Sequence, residues 1–258
     1  MGINIGGGFP VIYTDCPWEY DNPQDHDSAR GGTPYKQMSV KDLSAMAPLI
    51  DQVAAKDCIL FHWATFPKLR EALAVMEAWG FEYTTNAFTW VKLNARGKII
   101  VPKMNMVMVG ADKNGGSDGF ALSPKDIILK GGVRSGQGYY TNANAEICLV
   151  GKRGKTTELR QSRSVKQIIF APDWEEYAAT YPDTDVIIAP MLGHSAKPEE
   201  ARARIEMLTG NVPGLELFAR PPGRVPGWVK LGWEIDEEDI SVMLERLIDG
   251  EYRRPKAA

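Results

Sequence analysis

Two periodicities share the chain. Short β-branched and aromatic runs at 11 to 13, 58 to 63 (CILFHW), 81 to 92 (FEYTTNAFTWVK), 146 to 151 (EICLVG), 186 to 190 (VIIAP) and 215 to 220 (LELFAR) have the length and composition of buried strands. Helical spacing separates several of them. Val40, Leu43, Ala47 and Ile50 give one apolar face behind Ser39 and Asp42, which resemble a capping box, while Pro48 weakens the second half of that helix. Pro67 fits the first turn of a helix turning Leu69, Leu73 and Met76 inward, and Gly80 ends it. Further helices are expected from Lys197 to Leu208 and from Glu237 to Ile248. Strand, helix, strand, helix, strand is the order of a mostly parallel α/β sheet.

Two stretches break the pattern. Residues 19 to 38 are polar and rich in Gly and Pro, and read as a long loop overhanging the end of the first strand. Residues 94 to 138 hold nine glycines and little periodicity, which reads as an inserted excursion. No repeat and no linker divides the chain, so residues 1 to 258 are expected to form one domain.

Composition adds boundaries more than direction. With 258 residues, 44% of them hydrophobic, the chain can bury a large core. No apolar stretch approaches the ~18 residues of a membrane span, and no signal peptide is apparent, so a cytoplasmic protein is expected. Cys16, Cys58 and Cys148, like His26, His62 and His194, are scattered, which predicts neither a disulfide framework nor a metal site. The net charge of −3 excludes a chain that is basic throughout. Six cations against one acid between Lys152 and Lys166 form a local exception that fits either a grip on a phosphate backbone or a solvated loop. The acidic stretch 234 to 251 would repel nucleic acid.

Candidate chemistry concentrates at YTDCPW, where an acid, a proline and an indole follow the first strand. Ligands of open α/β sheets bind at that edge. A planar aromatic amine, such as the exocyclic amine of adenine, is a poor nucleophile until acceptors hold its hydrogens. The Asp15 carboxylate and a carbonyl of the turn could supply those acceptors, and Trp18 a stacking face, since a core role is less natural for an indole behind a proline turn. An in-line electrophile is then required, for which S-adenosylmethionine is the usual methyl donor. Other motifs fall away. GKRGKT (151 to 156) lacks the upstream glycine of a phosphate loop, since that position is Leu149, and no G-x-G-x-x-G occurs. His62, between Phe61 and Trp63, reads as a satisfied core histidine.

Taken together, YTDCPW, PYKQMS (34 to 39), LFHWAT (60 to 65), EAWGFEYTTNAFTWVK (77 to 92), GYYTNANAEICLVGKRGK (138 to 155), HSAKPEE (194 to 200), ELFAR (216 to 220) and PGWVKLGWE (226 to 234) resemble, in the same order, the N6-adenine methyltransferases with a D-P-P-W motif. That family includes relatives of the catalytic subunit of the messenger-RNA adenosine methyltransferase and many phage DNA adenine methyltransferases. The resemblance implies a circularly permuted, Rossmann-like methyltransferase fold using S-adenosylmethionine, with the catalytic strand first, the cofactor strand late, and insertions at 96 to 136 and 171 to 190. By the same resemblance Asp15, Cys16, Pro17 and Trp18 form the catalytic turn, with the carbonyl of Cys16 or Pro17 as second acceptor. Asp15, Lys197, Glu216, Arg220 and Trp233 are implied at the cofactor, and Tyr35 and Trp90 near the target base. Lys152, Arg153 and Lys155 are expected on the nucleic acid, DNA rather than RNA, with a homodimer or heterodimer left open and no membrane partner. The alternative is a catalytically silent relative that binds nucleic acid or supports an active partner, or an RNA methyltransferase. Three positions depart from the family pattern: Cys16 replaces a proline, Trp233 an asparagine and Asn142 an arginine.

Overall fold

The computed structural model describes residues 6–20, 36–93, 140, 145–162, 165, 197–221, 223 and 225–253, together with the backbone of strand segments 98–100, 107–109, 119–121, 128–130 and 187–190. Tyr35, Asn142, Arg163, Lys166, His194 and most of both expected insertions lie outside the described residues. The strands are β1 (Phe9–Thr14), β2 (Ala54–Ala64), β3 (Glu82–Leu93), β4 (Lys98–Ile100), β5 (Val107–Val109), β6 (Gly119–Ala121), β7 (Ile128–Lys130), β8 (Ala145–Arg153), β9 (Ile187–Pro190), β10 (Gly214–Leu217) and β11 (Trp228–Leu231). The helices are α1 (Val40–Ala45), α2 (Ala47–Val53), α3 (Leu69–Ala78), α4 (Glu199–Thr209), α5 (Trp233–Asp236) and α6 (Ile240–Ile248).

Seven strands form the main sheet in the order β11-β10-β1-β2-β8-β3-β9. Every neighbouring pair is parallel except the two made by β8, which runs antiparallel between β2 and β3. The first strand of the chain is thus flanked by β2 on one side and the late β10 on the other. This is the permuted order expected from the motifs. It places a topological switch point beside β1, the position where an open sheet splays its loops apart and leaves a crevice. Within the glycine-rich excursion, β4 pairs with β7 and β5 with β6, both antiparallel, as two small ribbons.

Period-2 alternation puts two cores on the two faces of the sheet. Ile12, Leu60, Leu149, Leu215, Val229 and Leu231 face α1, α2, α3 and α6, where Leu43, Ile50, Val75, Met76, Leu244 and Leu247 complete the layer. Val11, Tyr13, Phe61, Trp63, Phe88, Trp90 and Trp228 face the other way, onto Ala201 and Ile205 of α4. Among the described residues no helix is long and apolar enough to cross a membrane.

Two helix expectations are corrected. The helix begun at Val40 is interrupted, because Pro48 has no N–H to continue it; Pro48 sits instead in the first turn of α2, where a missing donor costs nothing. The C-terminal helix does not start at Glu237. That residue adopts a left-handed conformation (φ 54°) closing α5, and Asp239 caps α6 by accepting from the Ser241 N–H.

Candidate active site

The carboxyl ends of the parallel strands carry the functional side chains. Asp15 leaves β1 on the α4 face of the sheet, and its Oδ2 accepts from Lys197 Nζ at 2.6 Å. The same ammonium lies 3.1 Å from Glu146 Oε2, and Lys92 holds the other Glu146 oxygen. An alternating row of acid, lysine, acid, lysine therefore runs along the sheet edge. It rests on aromatic ground: Lys197 Nζ is 5.7 Å from the Trp63 ring centre and Lys92 Nζ 5.1 Å from that of Trp90. Trp63 is fixed in turn by donating from Nε1 to Tyr13 Oη at 2.8 Å.

The row sets the protonation states. Burial raises the pKa of Asp15, an effect that Lys197 partly reverses and the Glu146 charge reinforces. Burial would raise Glu146 too, but Lys197 and Lys92 together bring it below its ordinary value. Lys197 is buried, yet its two carboxylate neighbours raise its pKa and keep it charged. The arrangement leaves Asp15 as the more basic of the two acids, at the mouth of the crevice.

The turn that follows crosses from one face to the other. Asp15 projects to the α4 side, whereas the Trp18 indole is buried in the opposite core, packed on His62 with ring centres 5.5 Å apart. This corrects two expectations: Trp18 is a core residue that does not turn a free face to a base, and His62 is not satisfied. Among the described residues, both His62 nitrogens and Trp18 Nε1 are buried without a hydrogen-bonding partner. Orphaned buried groups of this kind cost about 1–3 kcal/mol each. The backbone of the turn is tightly held. The Trp18 N–H donates to the Cys16 carbonyl (2.9 Å), the Met38 N–H donates to the Pro17 carbonyl (2.8 Å), and the Glu19 N–H donates to the Met38 carbonyl (3.2 Å). Each carbonyl retains a second lone pair. Cys16 itself is buried, with Sγ 3.6 Å from Thr14 Oγ1.

On the other side of the switch point, Phe218 follows β10 in the left-handed region (φ 56°), which for a bulky residue costs about 1–3 kcal/mol. The twist brings the Ala219 N–H onto the Leu231 carbonyl at 2.8 Å and joins the loops after β10 and β11. Gly232 fits there only because it lacks a Cβ, which would meet the Ala219 carbonyl oxygen at 2.0 Å. Beyond this clamp Arg220 pairs with Glu234 at 3.4 Å, and Trp233 stands 52% exposed. Arg220, whose charge reaches Asp15, and the exposed Trp233 indole have the chemistry to take a zwitterionic nucleoside such as S-adenosylmethionine. Its amino acid end carries both charges, and its adenine has a face to stack.

Several expected residues lie elsewhere. Glu216 projects under α4, where its Oε2 accepts from Arg202 Nε (3.1 Å), is ion-paired with Nη2 (2.9 Å) and lies 3.8 Å from Lys230 Nζ, so it braces β10 from beneath. Trp90 is fully buried and supports Lys92; a side chain on that face of β3 points into the layer of Phe61, Trp63 and Phe88. Lys152, Arg153 and Lys155 are at the far edge of the sheet. Because β8 is antiparallel, its seven steps from Glu146 to Arg153 carry them roughly 24 Å from the row of charges. There Lys152 pairs with Glu82, Arg153 with Asp51, and the Lys155 N–H with Asp57. Conversely, Glu146 and Lys92 join the site without having been singled out. Their signal was a charged residue at the site end of an apolar strand.

Fold and site together define an α/β methyltransferase of the S-adenosylmethionine-dependent kind. The chain belongs to the MT-A70 family, which it matches over residues 9–112 and 128–234, and whose chemistry is transfer of a methyl group to the N6 position of adenine. It is 24% identical over 257 residues to the type II methyltransferase M.MunI of Mycoplasma sp., covering 93% of this chain and 84% of that protein. It is 25% identical over 266 residues to the N(6)-adenosine-methyltransferase MT-A70-like protein of Drosophila melanogaster, and 24% over 263 residues to the human N(6)-adenosine-methyltransferase catalytic subunit METTL3. The chain spans about a third of the length of those last two relatives (33% and 34%).

Proposed function

We propose that this chain methylates the N6 amine of adenine in DNA, acting as a single catalytic domain with Asp15 as the group that activates the amine. The observation that carries the activity is the Asp15 carboxylate at the switch point, held at 2.6 Å by Lys197 and raised in pKa by burial. What favours DNA is extent: the type II methyltransferase is matched over 84% of its length, the adenosine methyltransferases over about a third.

The cofactor, when bound, would supply an electrophilic methyl group, whose bond to sulfur breaks as the N–C bond forms and leaves a neutral thioether. Asp15 and a carbonyl of the Cys16–Pro17 turn accept the two amine hydrogens, which draws the nitrogen toward tetrahedral geometry and frees its lone pair. Lys197 fixes the Asp15 carboxylate through Oδ2, leaving the other oxygen to the amine. The raised basicity of Asp15 suits it to receive the proton shed as the new N–C bond forms. Arg220 and Trp233 hold the cofactor at the far side of the crevice, and Glu216 holds β10 in place beneath them.

The test is direct. Purified protein is incubated with S-adenosylmethionine and either DNA or RNA, and the digested nucleosides are analysed by mass spectrometry. N6-methyldeoxyadenosine from DNA is expected; methylation confined to RNA would overturn the substrate assignment, and none in either would overturn the activity.

A further inference from the structure

His62 lies on β2 in register with Thr14 of β1, so its side chain shares the sheet face that receives the Trp18 indole. No part of the imidazole reaches solvent. Trp18 lies against one side, tilted by 45°, and Trp79 against another, with ring centres 5.9 Å away. The Trp79 N–H is satisfied by the Leu43 carbonyl at 2.7 Å. Among the described residues the other three ring nitrogens of this stack have no partner.

A leucine at position 62 would fill similar space with no polar atom to desolvate. Burial instead keeps the imidazole neutral, with its pKa pushed down to about 3, so one nitrogen is a bare acceptor. An orphaned indole N–H beside an orphaned imidazole acceptor is a complementary pair. Their ring centres lie 5.5 Å apart, so the two groups are direct neighbours.

We propose that His62 is a positioning residue, which accepts a hydrogen bond from Trp18 Nε1 and thereby fixes the Asp15 to Trp18 turn in the shape that presents both acceptors to the target amine. The opportunity for it arises at Cys16. A proline there would lock one torsion of the turn covalently, whereas with cysteine that torsion is set by contacts alone, and the Trp18–His62 stack is the one at the buried end, beyond the backbone hydrogen bonds of the turn. The proposal rests on the methyltransferase reading of Asp15.

The test compares His62→Leu, His62→Gln and Cys16→Pro in steady-state methylation of a DNA oligonucleotide, with melting temperature and calorimetric cofactor affinity measured alongside. His62→Leu leaves the Trp18 N–H without its acceptor, so it is expected to melt a few degrees below wild type while binding S-adenosylmethionine normally. Its kcat should fall about tenfold with KM little changed, equivalent to about 1.4 kcal/mol in the barrier. His62→Gln keeps an acceptor and should recover most of that loss. Adding Cys16→Pro to His62→Leu should raise kcat more than Cys16→Pro does alone, the non-additivity of two groups serving one turn. Wild-type kcat in His62→Leu, or a loss that neither change recovers, would overturn the proposal. Should His62→Leu fail to fold, Trp18→Phe removes the N–H and keeps a ring, and wild-type kcat in that variant overturns the proposal equally. A wild-type protein that methylates no nucleic acid would remove the methyltransferase reading instead. The pairing would still be tested by the downfield Trp18 indole proton resonance, which His62→Gln should preserve.

Discussion

Replacing Glu146 by glutamine keeps the shape of the side chain and removes the one anion that two lysines share. In the native protein Glu146 is buried, 3.1 Å from Lys197 and in contact with Lys92, and both ammonium groups are themselves mostly buried. At an effective dielectric of ~20, a pair at that distance is worth about 5 kcal/mol before desolvation. Breaking a buried pair by removing one partner costs about 3–5 kcal/mol, because the remaining charge stays buried. For a chain of this size each kcal/mol lowers the melting temperature by about 2–4 °C, so a fall of roughly 6–12 °C is expected at the low end of that cost. The pH dependence has a definite sign. The folded-state pKa of Glu146 is lowered, so its stabilisation is present above the ordinary glutamate range and is lost as the pH falls through the folded value. The gap between wild type and Glu146→Gln should therefore be full at neutral pH and close below about pH 4. Activity should respond in step. The Glu146 charge raises the pKa of Asp15, so without it Lys197 lowers that pKa further, and the acid limb of the kcat profile should move to lower pH while kcat at neutral pH falls. Melting curves and a pH–rate profile with radiolabelled cofactor measure both. A variant that melts within about 1 °C of wild type, with the acid limb in place, would refute the charge row as a functional unit.

Asp15→Asn should reduce methyl transfer by about 10²–10⁴-fold while cofactor affinity changes little in calorimetry; transfer at near wild-type rate would remove Asp15 from the chemistry. Gly232→Ala sets a methyl group where the Ala219 carbonyl oxygen lies, and overpacking of that kind costs about 1–3 kcal/mol, so both the melting temperature and the affinity for S-adenosylmethionine should fall. Unchanged cofactor affinity would show that the joined loops do not hold the cofactor. The combined change of Lys152, Arg153 and Lys155 to glutamine should leave KM for a short oligonucleotide and its salt dependence unaltered, because these side chains lie at the far edge of the sheet. A steep rise in KM would return them to the nucleic-acid interface.

What the linear order of residues determined is considerable. Strand period, capping residues and the order of motifs identify an α/β methyltransferase with its catalytic strand first. Asp15, Arg220 and Trp233 stand at the carboxyl edge of the parallel strands, since each closes a short apolar run or follows one within two residues, and Lys197 reaches Asp15 from just ahead of α4. Direction and facing were decided only in three dimensions. The basic run after EICLVG looks like a phosphate grip in sequence, yet the reversed direction of β8 sends it away from the site and brings Glu146, at the other end of the same strand, into it. Trp18 and Asp15 are three residues apart and read along the chain as parts of one pocket, but the turn between them crosses the sheet edge, so the acid faces the crevice and the indole faces the core. Trp90 and Glu216 are buried for a related reason: period 2 specifies that alternate side chains share a face, while the helix packed on that face decides whether it is open. A sequence records spacing along the chain, and the strand direction and covering layer that turn spacing into a site come from contacts made across it.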